Sequence, residues 1–101
     1  MRYHVIGDED TVLGFRYAGI AGDVVATADE ATEAFRRVTR LPDVGILIVA
    51  DRIADLIRPI VSAQRFGGAT PLVVEVPSAD GPSAQREDLL ELIREAVGIR
   101  V

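Results

Sequence analysis

Apolar residues in this chain arrive in short bursts separated by segments of helical spacing. Tyr3 to Ile6 is a short, mostly apolar run ending on Gly7, and it predicts a first strand. Val12, Phe15 and Ala18 then recur at three-residue spacing, which predicts a short helix over Thr11 to Ala18. Asp10 is its expected N-cap and Gly19 its stop. Asp23 to Ala26 predicts a brief second strand. Ala31, Ala34, Phe35 and Val38 form the buried stripe of a second helix, capped by Thr27 or Asp29 and carrying Arg36, Arg37 and Arg40 near its C-terminus.

Val44 to Val49 is a near-continuous β-branched run. Such a strand is buried on both faces and belongs at the centre of a parallel sheet. Asp51 is expected to cap a third helix with Ile53, Leu56, Ile57 and Ile60 inward, which Pro59 should kink or end. Gln64 to Ala69 reads as a glycine-bearing connection. Pro71 to Val76 predicts a fourth strand, with proline at its first position. A rigid loop over Pro77 to Pro82 leads to a last helix, about Ala84 to Val97, with Ser83 as its cap and Gly98 as its stop.

Strand and helix thus alternate four times, a rhythm that implies βαβ units and a parallel sheet. The expected architecture is a single α/β domain of the flavodoxin/receiver-like three-layer kind, with a four-stranded parallel sheet in the order 2-1-3-4. Residues 1–82 are expected to form the Rossmann-like domain and residues 83–101 a C-terminal interface helix and tail.

Composition narrows the chemistry. The 101 residues suffice for one core, and the longest apolar runs are far too short to span a bilayer. The first residues do not resemble a secretory signal, so a cytoplasmic location is expected. A net charge of −5 argues against a nucleic-acid partner. With no cysteine, thiolate metal sites and disulfides are excluded. All 11 basic residues are arginine, which excludes a P-loop lysine, a Schiff-base lysine and the lysine of a phosphoryl-sensing receiver.

Candidate chemistry gathers where strands end. Asp8, Glu9 and Asp10 follow the first strand and Asp51 follows the third, at the edge where open α/β sheets place ligands. Two acids, an aspartate after the third strand and Ser78 after the fourth suggest a receiver-like site for Mg²⁺. The lysine and the fifth strand of that pattern are missing, and Asp51 serves equally well as a helix cap. Gly7, Gly14 and Gly19 have the wrong spacing for a dinucleotide fingerprint, and acids stand where the phosphate would lie. His4, the only histidine, lacks companions for metal binding or acid–base work and reads as structural. No nucleophile–base pair is visible, so no catalytic residue, metal site or cofactor is assigned.

The last helix carries more apolar surface than one stripe. Leu89, Ile93 and Val97 form one row; Leu92, Ala96 and Ile99 form an adjoining one. One row can cover the sheet, leaving the other for a partner. Arg86, Glu87, Asp88, Glu91, Arg94 and Glu95 make a polar rim.

The blocks Ile6 to Gly19, Ile48 to Arg58, Pro71 to Ser78 with Asp80-Gly81-Pro82, and Ile93 to Ile99 keep an order that resembles the F subunit of the V/A-type rotary ATPases. The resemblance implies a non-catalytic member of the central stalk. It implies a four-stranded parallel sheet and a final helix lying along the coiled coil of the stalk's D subunit. It further implies rotation inside the A/B hexamer with transient contact to it, association with the C/d subunit of the rotor, and coupling of ATP turnover to proton or sodium-ion movement. Such a protein is cytoplasmic and peripheral to the membrane, without inserting into it. Carried over by position, Arg86, Leu89, Leu92, Ile93, Arg94, Ala96 and Val97 would meet the D subunit. Gly7, Asp8, Glu9 and Asp10 carry the family's motif loop, with no catalytic duty. The alternative reading is a degenerate receiver-like signalling or interaction module.

Overall fold

Four strands align in parallel in the order β2-β1-β3-β4: β1 (Arg2–Gly7), β2 (Ala21–Val24), β3 (Val44–Ala50) and β4 (Leu72–Val76). The computed structural model describes residues 2–78. The expected final helix, its cap Ser83 and the proposed boundary at residue 83 lie outside the described residues. The predicted strand order is the observed one. The central place of β3 follows from its composition: Val44, Leu47, Ile48, Val49 and Ala50 are all buried, as expected for a strand covered on both faces.

Helix α1 (Glu9–Tyr17) lies on one face of the sheet; α2 (Ala28–Thr39), α3 (Asp51–Leu56) and α4 (Arg58–Phe66) lie on the other. Side chains alternate along each strand, so each face has its own core. On the α2 side, Ile6, Leu47, Val49 and Val73 pack with Phe35, Val38, Ile53, Ile57 and Val61. On the α1 side the core is small: Val5, Val12 and Ile48, with Phe15, Ile20, Ile46 and Val76 against it. Burying each of the large apolar side chains contributes about 1.5–3 kcal/mol, so among the described residues most of the hydrophobic stabilisation resides on the α2 side.

Several element ends differ from the sequence expectation, each for a local reason. The first helix is capped by Asp8, not Asp10. Asp8 has an extended backbone, and its carboxylate accepts hydrogen bonds from the Thr11 backbone N–H and hydroxyl. The second strand is Ala21–Val24 rather than Asp23–Ala26, because Ala21 to Val24 pair with His4 to Gly7. Thr27 caps α2 through a full capping box with Glu30, satisfying two donors that a helix end would otherwise leave free. The predicted stripe of α2 is buried as expected.

The third helix is two. Pro59 stands in the first turn of α4, where a missing N–H costs no hydrogen bond, and α3 ends just before it. Leu56 consequently points outward, 49% exposed, instead of into the core. Asp51 is not the N-cap of α3: Ala50 is, without a side-chain bond, and Asp51 opens the helix proper. Helix α4 also continues through Gln64 to Phe66, where a connection was expected. Pro71 lies one residue before β4 rather than inside it.

Among the described residues only α1 lies on this face, and part of the sheet there is exposed. Pairing places Tyr3, Ile46 and Leu72 in one row across β1, β3 and β4, and Val5, Ile48 and Val74 in the next. Val5 and Ile48 are buried, but Tyr3, Leu72 and Val74 remain 47%, 60% and 40% exposed.

Candidate functional site

The C-terminal ends of β1 and β3 are where the strand order reverses, the place at which open α/β sheets admit ligands. Here a cleft of about 430 Å³ is lined by Asp8, Glu9, Val25, Arg52, Leu56 and Ser78 among others. Of the acids expected here from sequence, Asp8 and Glu9 line the cleft, whereas Asp10 and Asp51 are not part of its lining. Asp8 Oδ1 accepts from the Thr11 hydroxyl at 2.6 Å and Oδ2 from the Thr11 N–H at 3.3 Å. Glu9 and Asp10 are exposed in the first turn of α1, where negative charge favours the helix dipole.

Asp51 is 1% exposed. Its Oδ1 accepts hydrogen bonds from the Ser78 backbone N–H at 3.1 Å and from the Ser78 hydroxyl at 3.0 Å. The hydroxyl after the fourth strand therefore does meet the acid after the third, as the receiver-like pattern suggests. It meets it as a donor to a buried carboxylate, a contact that ties the exit of β4 to the start of α3. Among the described residues no three His, Asp or Glu side chains are grouped so as to hold a metal ion.

Gly7 opens this loop for a steric reason. A Cβ there would come within 3.1 Å of Ala50 Cβ and 3.4 Å of Thr11 Cγ2. The glycine keeps β1, the end of β3 and the first turn of α1 close together. Gly7 to Asp10 thus forms a packing corner with an aspartate cap.

Two further polar clusters were not foreseen. Glu75 in β4 accepts from Arg58 at 2.6 and 3.0 Å and from Arg65 at 3.0 Å, and Arg58 also pairs with Asp55. The Arg58 hydrogen bonds hold the Glu75 carboxyl below the usual carboxylate range against the opposing effect of burial, and Glu75 in turn holds Arg58 charged. The signal was present: a glutamate two residues after Val73 shares the face that α4 covers, and Arg58 and Arg65 are seven apart on that helix. His4 Nε2 meets Asp23 Oδ2 at 2.7 Å, and Arg37 donates to Asp23 Oδ1 at 2.8 Å. Burial pushes the Asp23 carboxyl up, but bonding to Arg37 and His4 outweighs it and leaves the group below its ordinary value. His4 thereby acts as a strand-to-strand contact, as a structural histidine should.

Arg86, Leu89, Leu92, Ile93, Arg94, Ala96 and Val97, the expected partner contacts, lie outside the described residues. No helix among the described residues is long and apolar enough to cross a membrane.

A family model described as "ATP synthase (F/14-kDa) subunit" matches residues 4–93. The F subunit of the A-type ATP synthase of Methanothermobacter thermautotrophicus is 38% identical over 99 residues, covering 96% of this chain and 92% of its own. That of Methanococcus maripaludis strain C6 is 36% identical, covering 100% and 99%. Among solved structures, the F subunit of the V-type ATP synthase from Archaeoglobus fulgidus superposes with a TM-score of 0.65 at 28% identity, covering 74% of this chain and 95% of its own.

Proposed function

The chain belongs to the family of ATP synthase (F/14-kDa) subunits, and from that premise we propose that it is a non-catalytic member of the central rotor stalk in a V/A-type rotary ATPase. It binds the coiled coil of the stalk's D subunit, neighbours the C/d subunit of the rotor, and makes passing contact with the A/B hexamer. Through that position it helps couple ATP turnover to proton or sodium-ion movement, peripheral to the membrane on the cytoplasmic side.

The observation that carries this reading is the reach of the family match. It continues past the described strands and helices to residue 93, so Leu89, Leu92 and Ile93 of the two apolar rows fall within the shared pattern. The geometry of the domain agrees. Asp8 is spent on a helix cap and Asp51 on Ser78, which leaves the motif loop a structural corner and not a reaction centre. What remains for function is interaction. Leu89, Leu92, Ile93, Ala96 and Val97 supply the apolar contact with the coiled coil, and Arg86 and Arg94 the charged rim. Rim pairs add little affinity but favour the correct partner and register.

The test is direct mixing of the full chain with its cognate D subunit. A one-to-one complex on size exclusion is expected. Separate elution of two folded proteins would refute the assignment.

A further inference from the structure

The parallel topology sends charge to opposite edges of the sheet. All four strands start at one edge, and α1, α2 and α4, each of which leads into a strand, end there. Arg16, Arg36 and Arg65 stand in the last turns of those helices, and Arg40 is the C-cap of α2. Glu9, Asp10, Asp29, Glu30 and Asp51 stand in first turns, at the opposite edge. We propose that the edge from which the strands start is an interaction surface for an acidic protein partner. Arg16, Arg36 and Arg40 take its carboxylates, and Tyr17 and Phe66 its apolar groups. Such a partner belongs to the same rotary assembly, so this inference rests on the stalk assignment.

Three observations lead there. The first is charge without a partner. Towards this edge Arg2 pairs with Asp43, Arg37 with Asp23 and Arg65 with Glu75. Arg16, Arg36 and Arg40 are exposed and form no ion pair among the described residues. The second is the aromatic pair. Tyr17 ends α1 and Phe66 ends α4, so they flank the arginines from the two faces of the sheet. At 85% and 86% exposure they are the most exposed large apolar side chains among those described. The dipole of each helix accounts for arginine at its C-terminus, but not for an aromatic ring left in water. Arginine beside tyrosine and phenylalanine is the composition of protein-binding surfaces. The third is what the whole chain disfavours. A net charge of −5 opposes approach to an anionic lipid surface or a nucleic acid, so a discrete acidic protein surface is the occupant that fits. A second copy offering its own acidic edge would join head to tail and leave the same two edges free, giving an open filament and not a closed complex.

The chain has no lysine, so one introduced amine reports on one place. The rotary complex is assembled with the full chain carrying Arg40→Lys and treated with a carbodiimide, which joins an amine directly to a carboxylate. Mass spectrometry should find position 40 joined to an Asp or Glu of another subunit, several-fold above the yield from Arg52→Lys at the opposite edge. The parent chain, whose one amine is its terminus, gives the background. Oxidation of Tyr17 and Phe66 by hydroxyl radicals should fall several-fold between the free chain and the complex. Arg16→Glu with Arg40→Glu should abolish that protection, and Arg16→Lys with Arg40→Lys should keep it; both positions are exposed, so the fold survives. A chain that incorporates without the link, or with both rings still fully oxidised, overturns the proposal and leaves the stalk assignment standing. A parent chain that does not incorporate at all refutes the stalk assignment and the proposal with it. Links between two copies of the chain, or retention of the free chain on phosphatidylserine vesicles, also overturn it.

Discussion

Two glycine-to-alanine substitutions should move stability in opposite directions, and the reason is entirely local. In Gly22→Ala the new Cβ would lie 2.4 Å from Val5 Cγ1, 2.7 Å from the Val5 carbonyl oxygen and 3.0 Å from Val12 Cγ1. Val5 and Val12 are fully buried, and the carbonyl belongs to the strand that pairs with Gly22. A side-chain tip could move aside, but the backbone of β1 cannot shift without disturbing its pairing to β3. Overpacking of this kind costs about 1–3 kcal/mol. Against it stands a gain of about 0.4–1 kcal/mol from the reduced freedom of the unfolded chain. The net expectation is a loss of about 1.3 kcal/mol, which at roughly 4–8 °C per kcal/mol lowers Tm by about 5–10 °C. Gly14 is the control. It lies inside α1, where an added Cβ meets nothing within 4 Å, so Gly14→Ala should stabilise by about 0.5–1 kcal/mol. Urea and thermal unfolding of the full-length variants, followed by circular dichroism at 222 nm, measure both. A Gly22→Ala protein as stable as its parent would refute the reasoning, and so would two shifts of the same sign.

Ser78→Ala removes one hydroxyl bond to Asp51 and should cost about 1 kcal/mol, whereas Asp51→Ala strands buried donors and should cost roughly 2–3 kcal/mol by denaturant titration. Thr27→Ala breaks the capping box of α2 and should cost about 1 kcal/mol in the same assay. Glu75 and Asp23 are depressed below their ordinary values of 4.5 and 3.8 in the folded state. Their contribution is therefore complete above those values and is lost as pH falls through the lower folded-state values. Stability measured from pH 6 down to pH 2 should fall, and the fall should be shallower in Glu75→Gln, which has no charge to lose at that site.

The sheet was legible in the sequence because its signals are strong and mutually consistent. The apolar run of β3 placed that strand at the centre, and the stripe of α2 identified the helix that covers it. Element ends were harder, since several residues there can serve as caps. Asp8 and Asp10 are both plausible before Thr11, and the choice rests on Asp8 having the extended backbone that lets its carboxylate turn back. Pro59 announced a break, but whether a proline ends one helix or starts another depends on the chain before it. At the candidate site, the acids after β1 and β3 were visible as letters, and their employment was not. That Asp51 is buried and bonded to Ser78 depends on the intervening chain returning to the same edge. The Glu75 cluster was readable in principle from strand alternation and helix spacing together.

The measurement that bears most directly on function is the affinity of the full chain for the coiled coil of its cognate D subunit, by titration calorimetry, beside a Leu92→Asp variant. The parent should form a one-to-one complex. The variant should keep the unfolding midpoint of the α/β domain and lose at least a hundredfold in affinity, about 2.7 kcal/mol. Equal affinities would place the contact elsewhere on the domain, and no binding by the parent would contradict a role in the stalk.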